Sequence, residues 1–405
     1  MATSPRGRRV RLARDGQQWA FDRAVGDTGR VMHFQPDSRG GLPAGVRSHQ
    51  MISKHLGRRA QRLERLADAE LAAGHRETAL DYYFDAAATF ILAQHPILAV
   101  NDEKRLLHAS ALRCHAAVRE LAPYAIEHLD IEWEGSLVSG NLHLCPGPQP
   151  RPCVFFIPGC DVAKEIYPHP HANHALQRGL HLFAFDGPGQ GESNLRDVRL
   201  EADNYERAAS AAITQLLDRP EISEIVVYGQ SFGSFWAVRL AATDDRVRAL
   251  AAPWMSGCDR YYLMQEESPR FKQLFAHLTR ARSEDELDRT LARMTNHGDM
   301  ERIACPTLLM VGEYDPRSPL EEVYGLFDQL TVPRELWVFA DQHHMLALSS
   351  APDLHSSDTQ RMGLDWLRDR LDGLPVANDG DVVYVEPLGA SPNAPDAPHK
   401  RHWFD

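Results

Sequence analysis

Residues 224–239 read EIVVYGQSFGSFWAVR. A short apolar run ends in Gly229-Gln230-Ser231-Phe232-Gly233, and a helical pattern begins at once. Strand, tight turn and helix in that order predict an α/β unit. The pentapeptide fits the G-x-S-x-G turn, whose strained serine backbone lifts the hydroxyl clear of the sheet. A serine presented in this way is a nucleophile candidate, whereas small residues in an ordinary tight turn are the plain alternative. On the first reading the backbone N–H of Phe232 faces a developing oxyanion.

The surrounding pattern repeats this unit. Apolar runs fall at 153–158, 180–185, 225–228, 247–253, 306–311 and 336–339, with helical segments between them. Runs without alternation mark strands buried on both faces. Helices between such strands predict a mostly parallel sheet with right-handed crossovers. Upstream, AIEHLDIEWEG and SLVSGNLHL alternate apolar and polar residues and predict an antiparallel hairpin. The chain before that is helical in pattern, over about 48–73, 76–95 and 102–121, with Gly74 and His95-Pro96 as stops. The expected organisation is an irregular tail (1–45), a helical cap (46–123), an α/β catalytic region (124–375) and an irregular tail (376–405). The last expectation comes from Pro387, Pro392, Pro395 and Pro398.

A serine hydroxyl needs a base to take its proton and an acid to orient that base. In this kind of fold the order along the chain is Ser, then Asp or Glu, then His, the last two on loops after later strands. PTLLMVGEYDPRSP places Asp315 just past an apolar run, and LWVFADQHH places His343 and His344 past the next. His344, five residues beyond Phe339, is the favoured base and His343 the alternative. A second oxyanion donor is expected from the loop after an earlier strand, where VFFIPGCD offers the N–H of Cys160. Asp161, Lys164 and Glu165 read as helix-cap and first-turn residues. FDGPGQGES (185–193) matches neither phosphate-binding fingerprint and reads as a tight loop near the site. Trp254, Asp259 and Tyr261, after the next strand, are the candidate substrate-binding residues, with Asp259 as an extra acid. The histidines of PHPHANH (168–174) have no carboxylate or cysteine spaced with them, so no metal is expected there.

Composition bounds the partners. A net charge of −12 argues against nucleic acid. The basic stretch MATSPRGRRVRLAR lacks an apolar segment after it, so it reads as neither a secretory signal nor an anchor. No apolar run is long enough to span a bilayer. Six cysteines without a C-x-x-C pair read as thiols of a cytoplasmic protein.

Taken together, Gly229–Gly233, the DGPGQGES loop, Asp315 and His344 resemble the α/β-hydrolase superfamily. PGCDVAKE, IACPTLLMVGEYD and the helical AAGHRETALDYYFDAAATFILAQHP resemble one branch of it. That branch holds the 2,6-dihydropseudooxynicotine hydrolases, the fungal polyketide-shortening hydrolases and the FrsA-like esterases. The resemblance covers about residues 46–375. It implies a serine triad of Ser231, His344 and Asp315, no cofactor, a homodimer, and a pocket between helical cap and sheet. Its members cleave esters or carbon–carbon bonds next to a ketone, so the expected substrate is a small carbonyl compound, ester or diketone. Gln342-His343-His344 departs from the branch, where many members carry Gly and an acidic residue before the histidine.

Overall fold

The computed structural model describes residues 49–253, 255, 269–340, 342–344, 346, 357–386 and 389–392. It opens with three helices, α1 (His49–Ala72), α2 (Arg76–Gln94) and α3 (Asp102–Leu121). Gly74, at φ +87°, lets the chain turn sharply between the first two. The Asn101 side chain caps α3 by accepting from Lys104 N–H. The helices share an apolar core that includes Leu80, Phe84, Phe90, Leu107 and Val118. Ala163 and Ile166, from the segment that follows the third strand, are buried in the same core. That insertion fixes the helices over the segment that leaves the carboxyl end of β3.

An antiparallel hairpin follows, β1 (Ile126–Trp133) and β2 (Ser136–His143). Its two-residue turn, Glu134-Gly135, has positive φ at both positions, as a tight hairpin requires. The chain then runs through β3 (Arg151–Ile157), α4 (His174–Gln177), β4 (His181–Asp186), α5 (Gly191–Leu195), α6 (Tyr205–Leu217), β5 (Ile222–Gly229) and α7 (Phe232–Thr243). It continues with β6 (Val247–Ala252), α8 (Pro269–Thr279), α9 (Glu284–Leu291), β7 (Thr307–Gly312), α10 (Leu320–Phe327), β8 (Arg334–Phe339) and α11 (Ser357–Leu371). Two last strands are β9 (Val382–Glu386) and β10 (Gly389–Pro392).

All ten strands form one sheet in the order β1-β2-β4-β3-β5-β6-β7-β8-β9-β10. β3 to β9 run parallel, while the hairpin and β10 are antiparallel. Alternate residues of β3 enter opposite layers: Cys153, Phe155 and Ile157 face one core, Val154 and Phe156 the other. From β3 the chain goes first to β4 on one side and then to β5 on the other. Loops leaving the sheet at such a reversal splay apart and open a crevice at the carboxyl ends of the strands.

The C-terminal expectation is corrected. The segment read as irregular after residue 375 contributes β9, paired with β8, and β10 at the sheet edge. Val382-Val383-Tyr384-Val385 is a good strand former, and the prolines limit the strand's length rather than prevent it. Among the described residues, no helix is long and apolar enough to cross a membrane. The tail before residue 46 lies outside the described residues.

Candidate active site

The turn between β5 and α7 is shaped by its glycines. A Cβ on Gly233 would sit 2.1 Å from the Ile157 carbonyl oxygen, and one on Gly229 would sit 2.3 Å from Ala237 Cβ. Any larger residue at either place would push the helix off the strand. Ser231 between them has φ 56° and ψ −128°, a conformation that a non-glycine residue adopts only when its surroundings force it. Its N–H donates to the Pro253 carbonyl at 3.1 Å, and Gln230 N–H donates to the Ile157 carbonyl at 2.9 Å. The serine is thus locked by β3 on one side and the end of β6 on the other.

Two later loops bring a histidine and a carboxylate to it. His344 Nε2 lies 2.7 Å from Ser231 Oγ, and His344 Nδ1 lies 2.7 Å from Asp315 Oδ2. The two loops hold each other. The backbone after β8 runs so close over Gly312 that a Cβ there would meet the His343 carbonyl at 2.0 Å. Tyr314 N–H donates to the Gln342 carbonyl at 2.9 Å. His343 Nδ1 instead lies 2.9 Å from the Tyr314 carbonyl, so of the two histidines it is His344 that meets Ser231. Burial by itself would raise the Asp315 pKa. The His344 charge and hydrogen bond, with the Arg317 N–H, outweigh it and hold the carboxyl below its usual value.

Of the expected oxyanion donors, Cys160 lies in the loop after β3 and Phe232 directly follows Ser231. Phe232 is the first residue of α7, where the helix's partial positive charge collects. Cys160 follows Gly159, and a Cβ on Gly159 would lie 3.4 Å from Ser231 Cβ. The peptide joining Gly159 to Cys160 is held from behind: buried Gln190 donates from Nε2 to the Gly159 carbonyl at 2.9 Å. Tyr205 Oη in turn donates to Gln190 Oε1 at 2.5 Å, and its ring stacks on Trp236 of α7 at 4.0 Å. Because a trans peptide points its C=O and N–H in opposite directions, pinning that carbonyl turns the Cys160 N–H the other way. Gln190 and Tyr205 escape a reading of the sequence, since nothing local in FDGPGQGES marks Gln190 as a buried latch.

Asp161, Lys164 and Glu165 do not cap a helix. Lys164 and Glu165 sit in a short 3₁₀ turn and are fully buried. Lys164 Nζ contacts Glu165 Oε1 at 2.5 Å, Glu192 Oε2 at 2.7 Å and Asp186 Oδ2 at 3.3 Å. His108, Glu165 and Glu192 have the spacing of metal ligands, but the Lys164 ammonium already occupies both carboxylates and would meet a second cation. The histidines at 169 and 171 pair with Asp81 and Glu77 of α2, and His174 with Gln177. Trp254, Asp259 and Tyr261 lie outside the described residues.

A serine turned outward on a strand–helix elbow at the centre of a mostly parallel sheet is the α/β-hydrolase architecture, and the protein is a hydrolase of that class. Residues 65–270 match the family described as Esterase FrsA-like, and the chain belongs to that family. It is similar to 2,6-dihydropseudooxynicotine hydrolase of Paenarthrobacter nicotinovorans, 28% identical over 278 residues that cover 66% of this chain and 72% of the relative. Hydrolase LUC6 of a Fusarium species is 24% identical over 334 residues, covering 70% and 79%. The crystal structure titled as that of the 2,6-dihydroxy-pseudo-oxynicotine hydrolase superposes with a TM-score of 0.70 at 25% identity, over 88% of this chain and 97% of that one.

Proposed function

We propose that the protein is a serine hydrolase acting through Ser231, His344 and Asp315, and that its substrate is a β-diketone or polyketide-like ketone cleaved at a carbon–carbon bond. The observation that carries the serine-hydrolase part of this reading is the continuous hydrogen-bonded line from Ser231 Oγ through His344 to a buried Asp315; the carbon–carbon cleavage is taken from the similarity to 2,6-dihydropseudooxynicotine hydrolase. Ser231 Oγ attacks the carbonyl carbon while His344 Nε2 takes its proton. Asp315 fixes the imidazole's tautomer and stabilises the imidazolium. The N–H groups of Cys160 and Phe232 hold the oxyanion, each contributing about 3 kcal/mol. As the oxyanion collapses, the bond to the α-carbon breaks and the departing enolate carbon receives the proton. Water, activated by His344, then releases the acid and restores the serine. Asp259 is the candidate to assist that protonation, and Trp254 and Tyr261 are the other candidate substrate-binding residues. Helices α1–α3 serve as the cap over the carboxyl edge, in a cytoplasmic homodimer that needs no cofactor.

The family's name favours a second reading, a carboxylesterase on a small or aromatic ester. Turnover of a short aryl ester beside an aryl 1,3-diketone, with Ser231→Ala as control, separates the two. Serine-dependent diketone cleavage well above ester cleavage supports the first. Ester turnover alone supports the second and removes the reason for an acid at Asp259.

A further inference from the structure

A cavity open to solvent begins beside the proposed oxyanion loop, at Cys160 and Asp161, and runs between α3, α5 and α8. Two of its polar walls are incompletely satisfied. Lys104, in the first turn of α3, is buried, donates from Nζ to the Ile97 carbonyl at 2.9 Å, and has no carboxylate partner among the described residues. Its ammonium therefore has N–H groups left for something in the cavity. Burial and the nearby Arg280 charge lower its pKa to about 8, which leaves it a cation at neutral pH. Asn194, at the end of α5, is 2% exposed. Its Nδ2 faces the His277 carbonyl at 3.5 Å, and its Oδ1 is buried without a partner. A buried acceptor left in this way is destabilising unless something donates to it.

We infer that this cavity binds a hydroxyl of the substrate, of phenolic or enolic type, with Lys104 donating to its oxygen and Asn194 Oδ1 accepting its proton. The inference rests on the serine-hydrolase reading, because the cavity is taken as the extension of that site. A carboxylate would satisfy Lys104 but would oppose Asn194 Oδ1. An ether or plain ketone would satisfy Lys104 alone. A hydroxyl satisfies both, and a neighbouring ammonium favours one whose oxygen can carry partial negative charge. The remaining walls include the apolar side chains of Ile91, Leu274 and Leu278.

The test is the rate at which phosphonate esters bearing a 4-hydroxybenzyl or a 4-methoxybenzyl group label Ser231, followed by intact mass. The hydroxyl probe is expected to react at least about tenfold faster, since a site built for a hydroxyl rejects the analogue that cannot donate. Lys104→Met and Asn194→Leu are each expected to bring that ratio to within about twofold. Labelling of Ser231 with a wild-type ratio within twofold overturns the inference and leaves the nucleophile reading standing. A ratio unchanged in both variants does the same. No addition at Ser231 from either probe overturns the nucleophile reading and the inference with it.

Discussion

Gln190 touches no reacting atom, yet its position ties two loops to the proposed chemistry. It holds the Gly159 carbonyl at 2.9 Å while Tyr205, 15 residues on, holds Gln190. An oxyanion donor works because it is already aimed when charge develops, so a latch behind it acts in the transition state more than in the ground state. Gln190→Leu is therefore expected to lower kcat by about ten- to a hundredfold and to change KM little. Affinity for an alkylboronic acid should fall in parallel, because the boronate mimics the tetrahedral adduct. A loss confined to KM would show that Gln190 acts only as a wall of the cavity. Serine, carboxylate and histidine were legible in the sequence because each follows an apolar strand in a fixed order. The latch was not, because its partners lie 31 residues before it and 15 after, and glutamine in a glycine-rich loop carries no local signature.

At the level of elements, the buried charges around Lys164 join the segment after β3, the end of β4, α5 and, through His108 and His115, α3. Lys164 faces three carboxyl groups, and burial against its charge leaves them unequal. Glu192, which also meets His128 and Arg196, is held down to about 2, whereas burial raises Asp186 to about 7. Removing the ammonium strands Glu165 and Glu192 in a dry site, and breaking a buried pair from one side costs about 3–5 kcal/mol. Lys164→Met is expected to lower the urea midpoint accordingly. Asp186→Asn should cost less than half as much, since an amide still accepts the Lys164 N–H. Equal losses for the two would mean that the cluster is held by packing rather than by charge. The sequence had Lys164-Glu165 as the first turn of a helix because a local window cannot distinguish that from a buried pair whose partners lie 22 and 28 residues away. Strand β9 was hidden for a related reason: the prolines around it outweighed a four-residue run of good strand formers. The helices and central strands, by contrast, repeat one period over many residues, and their positions came through within a few residues at either end.

Across the whole molecule, the seams between helices and sheet are lined with uncharged histidines. Burial lowers His108 and His115 of α3 to about 4, and His143 of β2 and His277 of α8 to about 3. In the unfolded chain each returns to about 6.5. Between those values the unfolded state binds more protons, so stability is full above pH 6.5 and is lost as the pH falls toward 4. Asp186 works in the opposite direction, because its raised pKa lets the folded state hold a proton between about 4 and 7. Near pH 5.5, four histidines against one carboxyl leave about three protons taken up on unfolding, a slope of up to ~4 kcal/mol per pH unit at ~1.4 kcal/mol per proton. Urea midpoints at pH 7.5, 6.5 and 5.5 measure that slope directly. His115→Gln should reduce it by about one proton, because the amide cannot charge on unfolding. A midpoint that stays flat from pH 7.5 to 5.5 would mean that these histidines are already protonated in the folded chain, with carboxylates such as Glu165 as their partners.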